Sequence, residues 1–328
     1  MSGQDEVFLT GATGFVGSHV LSALLEAGYQ VRALVRPDGH KLNPPGGCRI
    51  VSGDLRRPGE LVPALGGCRY LVHVAALYTF APAQRHDVWD INVRGTAGLL
   101  EAARIAGVER AVVTSSSATV GPAAGGRLAT EVDWAGDSGS VSAYHGSKVR
   151  QERAALAARV PVVTVLPTTP VGPGDARPTP TGKMIVDFMR GRMFASIGGG
   201  LNLVAVEDVA RAHVLALQQG RERERYLIGG ENLMLADIWQ RLAAITGRTA
   251  PKREIPYGLA LALGWGDELR CRMTSSEPLV PIEGVHMARH RMWVDCAKAR
   301  DELGFEPSSV DAALGRAVDW FREHGYAN

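Results

Sequence analysis

The chain has 328 residues, 45% of them hydrophobic, with 36 lysines and arginines against 34 aspartates and glutamates and a net charge of +2. That size and apolar content can bury a substantial core, as one large domain or two interleaved ones, and the near-balanced charge argues against a nucleic-acid face or an acidic tail. No apolar run approaches the ~20 residues of a membrane span, and Cys48, Cys68, Cys271 and Cys296 lie far apart, without a CxxC or a histidine at metal-ligand spacing. The expectation is a cytoplasmic protein with reduced thiols, no metal and no nucleic-acid partner. With the first strand expected within about six residues of the start, a signal peptide is not expected. The charged run Arg221 to Arg225 reads as a solvated loop or helix end.

The first elements are the apolar strand VFLT from Val7, a glycine-rich turn and a helix over Val16 to Ala27, stopped by Gly28. Gly11 stands where the chain must turn off the strand, Gly14 lets backbone approach a pyrophosphate, and Gly17 lets the helix pack closely on the sheet. Phosphates would lie against the N–H groups of the helix start. The stretch reads as a dinucleotide cradle with GxxGxxG spacing, and Gly11, Thr13, Gly14, Phe15, Val16 and Gly17 are its candidate contacts.

VRALV follows as the second strand and ends on Arg36, where folds that bind NAD carry an acidic residue. A guanidinium can fork onto the phosphate that NADP carries at that ribose, so NADP is favoured and NAD stays open. Lys41 would assist. The other reading of Arg36 is a surface arginine whose stem covers the adenine. RIVSGDL, a helix near Glu60 to Leu65, YLVHVAA, a helix over Val93 to Ala106, RAVVTSS, a helix over Tyr144 to Ala158 and VVTVLP complete an alternation of strands and helices. Such alternation means a parallel sheet covered on both faces, a doubly wound α/β fold of the Rossmann type over residues 1–169.

After Pro167 the segment PTTPVGPGDARPTPTG leaves the sheet near its carboxyl edge, where ligands bind. LNLVAVEDVARAHVLAL and RYLIGG read as returns to the sheet, near 201–230, with another return near 290–298. Leu235 to Thr246 and Asp311 to His324 have helical spacing, so residues 170–328 are mainly a smaller, interleaved substrate lobe.

Tyr144 and Lys148 lie four apart in AYHGSK, on one face of a helix. A neighbouring ammonium favours the phenolate and pulls tyrosine down from its usual pKa of about 10, so that it can exchange a proton with a carbonyl or hydroxyl. AVVTSSSATVG brings hydroxyls to the carboxyl edge, among them Thr114, Ser116 and Ser117. Ala75, Ala76, Pro167 and Thr168, also at strand ends, complete the candidate cofactor contacts. His73, His86, His145 and His213 form no triad and read as structural.

With its TGxxGxxG start, serine-rich strand end and YxxxK, the chain resembles the extended branch of the short-chain dehydrogenase/reductase superfamily, and AVEDVARAHVLAL and DCAKARDELGFEP extend the likeness nearly to the end. PTPTGKMIVDF, GLNLVAVEDVA, YLIGGENL and EGVHMARHRMW are similar to the group of hopanoid-associated sugar epimerases and dihydroflavonol 4-reductase-like proteins. The resemblance implies a catalytic set in which Ser116 polarises the substrate oxygen, Tyr144 donates a proton, and Lys148 lowers the tyrosine's pKa while binding nicotinamide ribose. A register anchored on Ala118 and Thr119 makes Ser117 the rival. The resemblance also implies that Asn92 supports the lysine and that Asp54 and Leu55 border the adenine, each polar residue having a helix cap as its other reading. It further implies a homodimer through the helices near 93–106 and 144–158.

Within that superfamily the residues lean towards reduction. Nucleotide-sugar epimerases of this type carry an asparagine where this chain has Thr169, in LPTTPVGPG, and their RPGD-like motif is absent from ARHRMWVDCAKA, where Arg289 or Arg291 would have to substitute. Leu77 departs from the acidic residue expected in the hopanoid-associated group. Leu77, Tyr78 and Phe80, with Met184, Phe188 and Phe194, suggest an apolar pocket, against the alternative that Met184 and Phe188 face a core. The expectation is NADPH-dependent reduction of a ketone or aldehyde on a small, moderately apolar molecule. The alternatives are an NAD-dependent nucleotide-sugar epimerase or dehydratase and a non-catalytic nucleotide sensor, the latter disfavoured by the intact Ser116, Tyr144 and Lys148.

Overall fold

Val7, Phe8 and Leu9, and further on Ala111, Val112 and Val113, have no accessible surface, as strands covered on both faces require. A computed structural model of the chain describes residues 5–37, 39, 43, 45–79, 84–136, 143–193, 195–251, 253–274, 285 and 291–326. Its strands begin with β1 (Glu6–Thr10), β2 (Gln30–Val35), β3 (Cys48–Ser52), β4 (Tyr70–His73), β5 (Arg110–Thr114) and β6 (Val162–Pro167). Between them run α1 (Phe15–Glu26), α2 (Val62–Leu65), α3 (Arg85–Trp89), α4 (Thr96–Ile105) and α5 (Ala143–Leu156). The chain continues through β7 (Thr169–Val171), α6 (Pro180–Met189), β8 (Ser196–Ile197), β9 (Gly200–Ala205), α7 (Val206–Gln219) and β10 (Arg225–Ile228). Then come β11 (Glu231–Met234), α8 (Leu235–Thr246), β12 (Glu254–Ile255), α9 (Tyr257–Thr274), β13 (Arg291–Met292) and two helices, Ala297–Leu303 and Val310–Glu323.

Two compact units divide these elements. The first comprises Met1–Thr168, Val206–Ile228 and Asp295–Pro307. Its seven-stranded sheet has the order β10-β6-β5-β4-β1-β2-β3, with every pair parallel. The chain winds one way from β1 to β3 and the other way from β4 onward. The reversal lies between β1 and β4, where Thr10 pairs with His73, and the crevice beyond such a reversal is where open α/β sheets take their ligands. Phe8, Leu71, Ala111 and Val113 form one cluster with Leu99, Leu100 and Ala103 of α4 and Ala155 of α5, while α1 and α7 pack on each other.

The second unit comprises Thr169–Ala205, Gly229–Val294 and Ser308–Asn328. In it β9 pairs with β7, β11 and β13, and β8 pairs with β12. Ile185, Phe188, Leu203, Trp239, Leu242, Leu314 and Phe321 make its core, Phe188 stacking on Trp239 at 5.7 Å, and Met184 is partly buried against the same cluster. The sequence reading sends residues near 201–230 and 290–298 back to the large sheet. Their first strands, β9 and β13, pair within the smaller sheet instead, and the chain re-enters the first unit at Val206 and Asp295. Among the described residues no helix is long and apolar enough to cross a membrane.

Candidate active site

The turn between β1 and α1 is built on backbone contact. Gly11 has φ +82°, a conformation that disfavours any side chain, and a Cβ there would lie 2.7 Å from the amide nitrogen of Ala75. At Gly17 a Cβ would lie 1.9 Å from the carbonyl oxygen of Gly11. Gly14 is different: its backbone is extended, and a Cβ would meet only that same oxygen, at 3.3 Å. Gly14 precedes α1, no side chain caps the helix, and its first turn holds no acidic residue. Among the described residues no side chain caps the N–H groups of that turn, which suit an anion. Thr13 and Gly14 are exposed, and Phe15 and Val16 are half-buried. This arrangement fits a dinucleotide's phosphates. Gly17→Ala, which meets rigid backbone, is expected to weaken binding of a reduced nicotinamide dinucleotide by more than about tenfold in a fluorescence titration, roughly 1.4 kcal/mol or more. An affinity equal to the parent's would remove the cradle from consideration.

Arg36 is exposed beyond β2, and its side chain makes no ion pair with any described residue. Lys41 lies outside the described residues, as do Phe80, Phe194 and Arg289. Asp54 takes the backbone N–H of Arg56 at 2.9 Å and an ion pair from its guanidinium at 2.9 Å. Burial pushes the Asp54 carboxyl up, but these contacts outweigh it and hold the group below the usual carboxylate range. It is not the cap of the short helical turn that follows, Pro58–Leu61, whose N-cap position is Arg57. Leu55 is buried in the core beside Leu61.

At the end of β4 the amide of Ala75 donates to the Thr10 hydroxyl at 3.2 Å, and Ala76 is exposed. Asn92 is fully buried in the wide helical turn Asp90–Gly95. Its Oδ1 accepts from the Leu77 N–H at 2.7 Å, and its Nδ2 donates to the Leu77 carbonyl and to Ser147 Oγ, each at 3.1 Å. The sequence reading has Asn92 as a cap or as support for the lysine. The structure shows it pinning the loop after β4 to α5. Tyr78, on that loop, meets the Tyr144 ring edge-on, with centroids 4.4 Å apart.

Beyond β5 the chain makes a tight turn. Ser116 Oγ accepts the Ala118 N–H at 3.2 Å, and the Ser116 hydroxyl and Tyr144 phenol share a hydrogen bond. Ser117 is half-buried in the same turn. Lys148 is 2% exposed, and its Nζ donates to the Thr114 carbonyl at 2.8 Å and to Gln151 Oε1 at 2.5 Å. The Thr114 hydroxyl meets His213 Nε2 at 2.7 Å. Burial lowers Lys148 to about 7, with Glu152 opposing. Burial raises Tyr144 to about 12, with Ser116 opposing. The sequence reading expects the ammonium to pull the phenol down; in this environment desolvation dominates both groups. Pro167 is buried at the end of β6, and the Thr168 N–H donates to the Ile228 carbonyl at 3.0 Å. Thr169 pairs with Leu203 in the second unit, which also holds Met184.

Behind this edge lies a feature that the sequence reading misses. Arg225, read as solvated, is 6% exposed, and its Nε donates to the fully buried Glu152 at 2.8 Å. Glu152 also accepts from Ser115 Oγ at 2.8 Å and Thr164 Oγ1 at 3.1 Å. Arg225 donates to Thr119 Oγ1 at 3.0 Å and to the Glu131 carbonyl, and its guanidinium lies 3.6 Å over the Trp134 ring. A buried carboxylate needs such a partner. The available signal was Glu152 itself, four residues after Lys148 on the same helix.

The family model described as the NAD dependent epimerase/dehydratase family matches residues 7–229. A provisionally named dihydroflavonol 4-reductase of Synechocystis sp. is 42% identical over 98% of this chain and 96% of its own length. Sterol demethylase protein B of Methylococcus capsulatus is 35% identical over 97% of this chain and 98% of its own length. The crystal structure of gox2253 is 38% identical, with a TM-score of 0.87 over 99% of this chain and 100% of that one. With the glycine cradle, the parallel seven-stranded sheet and these matches, the chain belongs to the NAD dependent epimerase/dehydratase family, in the extended short-chain dehydrogenase/reductase branch, as an NAD(P)-dependent oxidoreductase.

Proposed function

We propose that the enzyme uses NADPH to reduce a ketone or aldehyde on a small, moderately apolar molecule. The observation that carries this reading is the placement of the half-buried Tyr144 phenol, hydrogen-bonded to Ser116 and one helical turn from the buried Lys148, where desolvation pushes the phenol up to about 12. The nicotinamide, when bound, supplies hydride. Ser116 orients the carbonyl oxygen, and the Tyr144 hydroxyl gives up its proton as negative charge develops there. A phenol with so high a pKa stays protonated at neutral pH until an alkoxide-like oxygen needs the proton. Lys148, one helical turn on, offers positive charge to the phenolate left behind. Gly11, Gly14 and Gly17 with the start of α1 would hold the pyrophosphate, and the exposed Arg36 would hold the phosphate on the adenosine ribose.

Names of relatives support the two halves of the reading: one is a reductase, the other a sterol enzyme, hence an apolar substrate. The family's name keeps epimerisation as the second reading. Identifying any nucleotide released by heating the purified protein separates them, followed by NADPH and NADH titrations of the parent and Arg36→Glu. The expected result is an empty protein that prefers NADPH by at least about tenfold, with the preference lost in the variant. Stoichiometric NAD surviving purification would overturn the reductase reading in favour of the epimerase.

A further inference from the structure

Lys148 is gripped by a side chain that proton donation does not itself require. An ammonium has three protons and no lone pair, so the amide of Gln151, 1% exposed, has to turn its oxygen towards Nζ. Its nitrogen then needs an acceptor in a buried place. The hydroxyl of Thr96, fully buried, takes that donor at 2.9 Å. Thr96 Oγ1 in turn lies 2.8 Å from His73 Nε2, and His73 Nδ1 lies 2.7 Å from Thr10 Oγ1. His73 and Thr10 are also fully buried. An unbroken line of hydrogen bonds thus runs from the ammonium to the residue that precedes Gly11 in the cradle.

We propose that Gln151 is a positioning residue for Lys148: its amide, oriented by Thr96 and braced through His73 on Thr10, keeps the buried amine charged and aimed. The proposal rests on the role given to Lys148 above and extends it to side chains on α4, α5, β4 and β1. Two acceptors, the Thr114 carbonyl and Gln151 Oε1, occupy two of the three N–H directions on a tetrahedral nitrogen and so fix the third. The groups around the amine leave the amide this task. Glu152, on the same helix, is the opposite charge, but Arg225 of β10, Ser115 and Thr164 share it. His73 from β4 is held down to about 3 by burial and by Lys148 itself, and His213 of α7, behind Thr114, is held down to about 4 by burial. Both stay neutral and add no repulsion. Tyr144, one turn back, is neutral as well. A buried amine that loses an acceptor loses part of what offsets its desolvation.

The chain has five lysines, Lys41, Lys148, Lys183, Lys252 and Lys298, so isotopic labelling at lysine Cε gives a short set of resonances. Lys148 is identified by its absence in Lys148→Arg. Titrating that resonance in the full-length protein is expected to show its midpoint falling by about one pH unit or more in Gln151→Leu and rising by a similar amount in Gln151→Glu. Thr96→Val should lower it less, and Thr96→Ser should restore the parent value. Unchanged midpoints in folded Gln151→Leu and Gln151→Glu would overturn the proposal; should Gln151→Leu not fold, Gln151→Glu decides. The titration needs neither substrate nor nucleotide, so a failed reductase assay would count against the function and leave this result standing.

Discussion

Tyr144→Phe should cut NADPH-dependent turnover by about 10²–10⁴-fold, the range for loss of a positioned general acid, while nucleotide affinity stays near the parent's. The substitution removes a single oxygen. The ring that Tyr78 packs against edge-on remains, and so do the cradle and the hydrogen bonds of Lys148. What goes is the hydroxyl, with the proton destined for the developing alkoxide and the hydrogen bond to Ser116, so the loss should fall on kcat rather than on KM. The assay is NADPH oxidation against apolar ketones chosen by screening. The same assay gives the pH profile of the parent: turnover should decline as pH rises through about 7, where Lys148 loses its proton, while Tyr144 at about 12 keeps its own. Parent-like turnover in Tyr144→Phe would sink the assignment of the acid.

The large sheet was legible because its central strands carry short apolar runs and its glycines directly follow a strand and open a helix. Every residue of β6 is buried, so the run VVTVLP announces itself. The Tyr144–Lys148 pair was legible for a similar reason, since four residues on a helix need no tertiary information. Their acid–base balance was not, because it depends on desolvation by distant elements. The smaller sheet was hidden by size. β8, β12 and β13 have two residues each and β7 three, too few to display alternation. The hydrogen bonds of Asn92 were not legible because it stands inside a wide helical turn, which brings its amide onto Leu77. Arg225 was misread because RERER looks solvated, and its partner lies 73 residues away on α5.

That last misreading carries the largest stability effect. Arg225→Met should destabilise the protein by about 3–5 kcal/mol, the usual cost of breaking a buried ion pair from one side. Methionine fills much of the space over Trp134, but Glu152, with no accessible surface, loses its ion-pair partner and keeps the hydroxyls of Ser115 and Thr164 and the coulombic pull of Lys148. Thr119 and the Glu131 carbonyl lose their donor as well. The penalty is mostly the stranded carboxylate rather than the value of the pair, so Glu152→Met added to Arg225→Met should return part of the loss. Urea unfolding measures this as a lower midpoint at unchanged slope for the single variant and a partial recovery for the double. Ser115 and Thr119 flank the Ser116 turn, so the double variant should stay impaired in turnover even where its midpoint recovers. A single variant as stable as the parent would mean that the carboxylate finds water or a proton, and that the pair does not lock this edge of the sheet.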